Sequence, residues 1–330
     1  MKAKLASKVL SGDTIAAARL ISGIADEAPG AFEEMSHIYP HTGKAYIIGV
    51  TGSPGAGKST LTSNLIGHFR KELMTIGVIA IDPTSAFTGG ALLGDRIRMQ
   101  QHGEDKDVFI RSLATRGLQG GLAKATIETI HIMDAMGKDI ILVETVGSGQ
   151  IEIDITRVAD TTLFVMTPEA GDAIQMMKAG ILEATDIFVI NKADRGNADL
   201  IQTDLQTMLS MRNWRPDEWQ PSIIFTEAIY DKGTAELAAE RSRHREYLTR
   251  TGELKKRKQG RLKLELMETV EGLLKDCITN IDHGEYLARL IDDLARGKTD
   301  PQAATRQLVN RLASDLARIQ NRHQNGRKTA

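Results

Sequence analysis

The sequence predicts an α/β fold: a three-layer domain with a mainly parallel sheet, preceded by a helical extension and followed by a helical arm. Three observations predict it. Short apolar runs at residues 46–50, 78–81, 108–110, 140–143, 163–166, 187–190 and 223–225 have the length of buried strands. Most of them end in a turn containing Gly, Asp or Pro, after which a longer helical pattern begins. Beyond about residue 230 the apolar runs stop and only helical periodicity remains. Strands alternating with helices join into a parallel sheet through right-handed crossovers, and ligands then sit beyond the carboxyl ends of the strands.

Residues 1–42 are read as the helical extension. Ile15, Ala18, Leu20, Ile21 and Ile24 keep helical spacing, and Pro40 marks a boundary. Residues 43–232 contain the seven apolar runs and are read as the α/β domain. Residues 233–330 form the arm. There Leu266, Val270, Leu273, Cys277 and Ile281 mark one helix face, and Leu287, Leu290, Ile291 and Leu294 mark another, closed by Gly297. Asp300 offers an N-cap with Pro301 at the first helical position, and Leu308, Leu312, Leu316 and Ile319 continue the next helix. Such stripes have to be buried, either on the chain's own domain or against a second copy in a homodimer. Residues 321–330 are polar and expected to fray.

At 330 residues the chain exceeds what one compact core usually takes, and its 41% hydrophobic and 26% charged content suits a globular protein. A net charge of -1 argues against a general polyanion binder. The single cysteine, Cys277, excludes an internal disulfide framework and a Cys-based zinc site, and fits a reducing compartment. No apolar stretch approaches the roughly 20 residues that span a bilayer. Lys2, Lys4 and Lys8 resemble the start of a signal peptide, but Asp13 and Arg19 break the segment that follows. A cytoplasmic location, with no membrane and no nucleic-acid partner, is the resulting expectation. The basic stretch from Arg241 to Lys263, with Lys255-Lys256-Arg257-Lys258, has only Tyr247 as an interleaved aromatic. It reads as a solvated helix face or a protein-binding one rather than an RNA site.

The chemistry begins at Gly52-Ser53-Pro54-Gly55-Ala56-Gly57-Lys58-Ser59-Thr60, which fits G-x-x-x-x-G-K-[ST] between a strand-like run and a helical pattern starting at Lys58. Glycines let successive N–H groups converge into an anion nest at a helix N-terminus. Lys58 is then expected to reach the β- and γ-phosphates of a nucleotide, and the Ser59 hydroxyl to ligate Mg²⁺. Asn191-Lys192-Ala193-Asp194 directly follows the run 187–190. A carboxylate at Asp194 can accept both N1–H and the 2-amino group of guanine, a pattern adenine lacks. Asn191 and Lys192 would brace the loop and cover the base, so GTP is expected rather than ATP, and GDP as product.

Weaker signals surround these. Glu144-Thr145-Val146-Gly147 ends the run 140–143, where its carboxylate can hold Mg²⁺ and the Gly147 N–H can sense the γ-phosphate. Asp82 ends another run, and Asp95 lies in a Gly-rich segment suited to a switch; both are candidate metal or water ligands. Arg116, in a stretch with Arg111 and three glycines, is a candidate for neutralising transition-state charge, and Gln150 for orienting the attacking water. Thr226-Glu227-Ala228-Ile229 follows the last run, where a loop N–H is expected to meet guanine O6.

Taken together, these residues closely resemble the MeaB/ArgK-like P-loop GTPases, whose human relative is the methylmalonic aciduria type A protein. They are similar to members of the metallochaperone-related group. The resemblance covers nearly the whole chain and is most specific at residues 52–60, 81–84, 89–99, 111–122, 144–152 and 191–194. It implies a homodimer joined through helical extensions and a slow, partner-stimulated GTPase. It further implies a chaperone that gates adenosylcobalamin loading of methylmalonyl-CoA mutase and protects that enzyme. It places Lys58 and Ser59 at the phosphate and Mg²⁺ positions, and Asp82, Asp95 and Glu144 around the metal. Residues 169–186, with Gly171, Asp172 and Lys178, match an additional mobile switch that contacts the mutase. Glu227 departs from the pattern, since a small residue is common before Ala228.

Two other readings compete. A nickel-insertion GTPase needs thiol or imidazole ligands near the switches, whereas the one thiol lies in the arm and the eight histidines show no cluster beyond the His37 and His41 pair. A kinase of a protein or small-molecule acceptor would use the same phosphate loop, as an older label for ArgK suggests, but would leave the guanine motif incidental.

Overall fold

A computed structural model of the chain describes residues 4–26, 28–82, 100–114, 121–145, 151–168 and 181–326, with the side chains of 82, 100, 114, 121–124, 151–153, 181–182 and 315–326 left aside. Two compact units emerge, residues 1–262 and 263–330.

The first unit is built on seven strands: β1 (Tyr46–Gly52), β2 (Ile76–Asp82), β3 (Val108–Ala114), β4 (Ile140–Thr145), β5 (Thr161–Met166), β6 (Ile187–Asn191) and β7 (Ser222–Thr226). They form one sheet in the order β3-β2-β4-β1-β5-β6-β7, and every pairing is parallel. All seven apolar runs are strands, extended by one to four residues because backbone pairing continues beyond the apolar side chains. Both faces are covered, which is why the runs are continuous rather than alternating. On β5 and β6, Leu163, Val165, Ile187 and Val189 belong to one core cluster, while Phe164, Met166, Phe188 and Ile190 belong to the other.

Helices fill the two outer layers. The helix α4 (Lys58–Lys71) lays Leu61, Leu65, Ile66 and Phe69 on the first cluster, beside α9 (Thr234–Thr251) with Leu237 and Ala238. The second cluster lies under α8 (Ala198–Ser210), through Leu205. The connections include α5 (Gly121–Ala135), α6 (Ile151–Val158) and the short α7 (Ile181–Ala184).

The N-terminal extension is three helices rather than one: α1 (Lys4–Leu10), α2 (Thr14–Ala25) and α3 (Ala31–Ile38), which pack on one another and on α5. Asp13 caps α2 by accepting from the N–H groups of Ile15 and Ala16. The buried face of α2 is Ala16, Ala17, Leu20, Ile21 and Ile24, whereas Ile15 is 66% exposed. The expected stripe is therefore rotated, because Ala17 and not Ile15 completes the i, i+3, i+4, i+7 set. Asp134 on α5 then pins the entry to β1, since its carboxylate accepts from the N–H groups of Gly43, Lys44 and Ala45.

At the amino ends of the strands lies a buried ionic cluster. Asp186, just before β6, is bridged by Arg257 through both carboxylate oxygens at 2.7 and 2.8 Å, and also faces His244 at 3.3 Å. Arg257 further donates to the carbonyl of Asp160, while Arg261 reaches the Asp160 carboxylate at 3.3 Å. The Thr161 hydroxyl links Tyr46 Oη at 2.6 Å to His244 Nδ1 at 2.8 Å. Arg257 and Arg261 come from α10 (Glu253–Thr279), separated from α9 by Gly252 at φ 76°. The basic run is thus largely structural here. Asp186, the last residue of the stretch matched to a switch, is buried and paired in this cluster.

The second unit holds the end of α10, then α11 (Glu285–Ala295) and α12 (Pro301–Gly326). Asp300 caps α12 through its Oδ1, which accepts from Gln302 and Ala303, and Gly297 follows α11 with positive φ. The helix α12 runs to Gly326, further than its polar composition suggests. Arg311 on α12 bridges Asp282 at 2.9 Å, joining it to the turn before α11. Ile281, Leu290, Ala304 and Leu312 are buried, but Leu266, Leu273, Ile291 and Val309 are between 56% and 63% exposed.

Burial alone would raise the Asp186 pKa, but the hydrogen bonds and charges of Arg257 and His244 outweigh it and hold the carboxyl at about 2. A folded value below the unfolded one makes this stabilisation complete above about pH 4 and lost as pH falls through about 2. Asp186→Asn is expected to cost about 3 kcal/mol near neutral pH, with the gap to the parent narrowing by about 2 kcal/mol toward pH 2. Urea titrations at several pH values check this; a gap constant with pH would remove the ion pair as its cause.

Candidate functional site

The carboxyl ends of β1, β4, β6 and β7 bring the two motifs together. Gly52, the last residue of β1, sits at φ 132°, and a Cβ there would lie 1.9 Å from the Val165 carbonyl oxygen. Only glycine lets the chain turn off the sheet so close to β5. Gly57 precedes α4 at φ 89°, where a Cβ would meet Asn191 Nδ2 at 2.4 Å. The glycines of the loop therefore answer to two different neighbours. Ala56 closes a turn by donating its N–H to Ser53 O, and Leu61 N donates to Gly57 O to begin the helix.

Lys58 and Ser59 open α4 and are buried, at 6% and 7% exposure. The ammonium of Lys58 curls over the loop, donating to Gly52 O at 2.7 Å and Ser53 O at 2.9 Å. The Ser59 hydroxyl donates to Glu144 Oε1 at 2.6 Å. Glu144 is buried within β4, level with Val50 on β1 and Ala80 on β2. Beside it, Thr145 Oγ1 donates to Thr51 Oγ1 at 2.8 Å. The expected neighbours Ser59 and Glu144 are thus in contact. Asp82 closes β2 one step beyond the Ile81–Thr145 pair, its side chain outside the described set. Asp95, Arg116, Gly147 and Gln150, with Gly171, Asp172 and Lys178, lie outside the described residues.

The base-side motif is organised by Asn191, the last residue of β6. Its Nδ2 donates to Ala56 O at 2.7 Å. Its Oδ1 accepts from Thr226 Oγ1 and from the Ala228 N–H, both at 3.0 Å. Lys192 takes a left-handed conformation, φ 58°, and donates through Nζ to Gly55 O at 2.9 Å. Ala193 N donates to Thr226 O, which ties this turn to the end of β7, and Asp194 is left exposed at the turn's tip.

Glu227, the anomalous residue, directs its carboxylate to Lys232 Nζ at 2.9 Å. Its backbone supports the turn instead, with its carbonyl accepting from Tyr230 and Lys232. Because the Ala228 N–H is already taken by Asn191, the next amide, that of Ile229, is the one without an acceptor among the described residues. Sequence reading missed Asn64, on α4, which donates to Ala228 O at 2.7 Å and holds that turn from the other side. Nothing local marks it, since its role arises where a helix meets a loop more than 160 residues later.

An anion-nest loop between β1 and a helix, a hydroxyl–carboxylate pair beside it, and an Asn-Lys-Ala-Asp turn on the same sheet edge define a P-loop nucleoside triphosphatase. The comparisons with known proteins narrow the class. The model of the family described as methylmalonyl Co-A mutase-associated GTPase MeaB matches residues 17–282, and the chain belongs to that family of GTPases. It is 46% identical to a Pyrococcus abyssi protein named as a candidate GTPase, over 94% of this chain and 96% of that one. It is 28% identical to the mitochondrial methylmalonic aciduria type A homolog of Caenorhabditis elegans, over 79% of this chain and 67% of the relative. The solved structure of a LAO/AO transport system kinase has a TM-score of 0.70 at 24% identity, covering 93% of this chain and 96% of that one, which is a likeness of fold.

The protein is accordingly a guanine-nucleotide-binding GTPase. Among the described residues no group of three or more His, Cys, Asp or Glu is placed to hold a metal, and no helix among them is long and apolar enough to cross a membrane.

The glycines make a contrast that can be measured. Gly57→Ala should lose about 1–3 kcal/mol and most nucleotide affinity, because it meets both positive-φ strain and the Asn191 amide. Gly55→Ala, at φ 74° in open space, should lose only about 1 kcal/mol. Denaturation and nucleotide titration of both variants test this, and equal losses would mean that the Asn191 contact is not the constraint.

Proposed function

We propose that the chain is a Mg²⁺-dependent GTPase chaperone of a cobalamin-dependent methylmalonyl-CoA mutase, in which the nucleotide state is read by the partner. The observation that carries the nucleotide half is the Asn191 carboxamide, which bonds the phosphate loop and the base-side turn at once. Residues 52–60 cradle the phosphates through backbone N–H groups, and the Lys58 ammonium moves from the loop carbonyls toward the β- and γ-phosphate oxygens. Asp194 accepts from guanine N1–H and the 2-amino group, and the Ile229 N–H donates to O6.

The donor set at Ser59 and Glu144 fits Mg²⁺: a hydroxyl and a carboxylate oxygen 2.6 Å apart at a helix N-terminus, both hard oxygen donors. Mg²⁺ prefers one or two carboxylates completed by phosphate oxygens and water, so a three-carboxylate cluster is not required. Bound there, it would neutralise charge that develops on the phosphoryl oxygens. Asp82 and Asp95 complete the acidic surroundings, and Arg116, Gln150 and Gly147 are proposed to act on the transferring phosphoryl group and the attacking water.

The mutase partner is supported by the family description and by the name of the Caenorhabditis elegans relative. Slow basal turnover stimulated by that partner, and a switch in the stretch 169–186, belong to the same reading. A homodimer through residues 233–330 is supported by the exposed apolar side chains Leu266, Met267, Val270, Leu273 and Leu274 on α10. A cytoplasmic location completes the proposal.

In calorimetry with Mg²⁺, Lys58→Ala should abolish tight GTP binding or turnover. Asp194→Asn should weaken GTP by about tenfold or more, since an amide presents a donor where two were accepted. Unchanged GTP affinity in Asp194→Asn would overturn the base assignment. Recovery from cell extract with GTP, GDP or no nucleotide tests the partner: nucleotide-dependent capture of a cobalamin mutase supports it, and capture of a nickel enzyme replaces it.

A further inference from the structure

Arg241 on α9 is almost wholly enclosed, at 3% exposure, yet its guanidinium makes no hydrogen bond or ion pair among the described residues. Its Cζ lies 4.6 Å from the Phe69 ring centre and 5.9 Å from that of Tyr46. One turn further along α9, Arg245 stands 5.0 Å from the same Tyr46 ring, exposed, and likewise without a carboxylate partner among those residues. Aromatic faces stabilise a cation, but they accept none of its five N–H groups. Burial pushes the Arg241 guanidinium below its ordinary value, and the charge of Arg245 adds to that. The acid that acts on it through space, Glu72, is bridged by His68 at 3.4 Å.

Two like charges stacked on one ring, one of them buried and unsatisfied, form an arrangement that an oxyanion would complete. We infer that Arg241 and Arg245 form a receptor for a carboxylate side chain on an acidic segment of a protein partner, at the amino end of β1 and away from the nucleotide loops. Paired arginines suit a carboxylate through forked hydrogen bonds. A nucleic-acid backbone needs a row of available cations. Four cations of the neighbouring run on α10 are committed instead: Lys256 to Glu253, Arg257 to Asp186, Lys258 to the Gly43 carbonyl and Arg261 to Asp160.

The test uses the full chain saturated with Mg²⁺ and GDP, so that the phosphate loop is filled, and a labelled hexaglutamate peptide followed by fluorescence anisotropy. Arg241→Met and Arg245→Gln are each expected to weaken peptide binding by about tenfold or more. Arg250→Gln, the same charge change elsewhere on α9, should weaken it by less than about threefold. GTP turnover should be unchanged in Arg245→Gln. Equal weakening in all three variants, no peptide binding by the parent, or displacement of the peptide by inorganic phosphate or a single-stranded oligonucleotide at lower concentration would each overturn the inference. Should Arg241→Met fail to fold, the contrast between Arg245→Gln and Arg250→Gln decides it.

Discussion

One carboxamide holds the nucleotide edge of this protein together. Asn191 donates to Ala56 in the phosphate loop and accepts from Thr226 and Ala228 at the end of β7, while its own backbone ends β6. A buried amide with both ends satisfied fixes the relative position of three segments far apart in sequence. The consequences reach into the glycines: Gly57 has no room for a side chain because Asn191 passes beside it. They also reach into the base-side turn, since Asn191 takes the Ala228 N–H and the following amide, Ile229, has no acceptor among the described residues. The loop that meets phosphate and the turn that meets the base are thus one mechanical unit.

The two ends of the sheet are chemically different. At the carboxyl ends, charged and polar groups sit on loops with small side chains and left-handed backbone, arranged to receive a ligand. At the amino ends, Asp160, Asp186, His244 and Arg261 are buried and Arg257 half-buried in mutual pairing, and the charges are consumed by the fold itself. The bidentate Arg257 contact ties the start of α10 to the foot of β6, the strand that carries Asn191 at its other end. Arg241 breaks this pattern as a buried cation that meets the rings of Phe69 and Tyr46 and no acid among the described residues.

The membership of the chain in the GTPase family and its geometry support each other at separate points. The hydroxyl of Ser59 and the carboxylate of Glu144 touch although the two residues are 85 positions apart in sequence. That contact requires β1 and β4 to be neighbours in register, which the sheet order supplies. Sites of this kind depend on the crossover rule of parallel sheets as much as on any motif, because the rule delivers strand ends from distant segments to one edge.

Much of this was legible from residue order. Apolar runs bounded by turn residues marked all seven strands, because a strand buried on both faces must be apolar throughout. The phosphate loop and the Asn-Lys-Ala-Asp turn were legible because their chemistry depends on local backbone shape, which glycine and a few side chains specify within a short span. What the residue order left open were matters of long-range partnership. It marked Ile15 as part of a buried stripe, but the face of α2 is chosen by α1, α3 and α5 packed against it. It left Arg257 and Lys258 as a solvated or protein-binding run, since which charges meet is decided by helix placement. Asn64 gave no local sign at all. Short-range geometry is written in neighbouring residues, whereas the pairing of charges and the donor left over for a ligand depend on which distant elements the folded chain sets side by side.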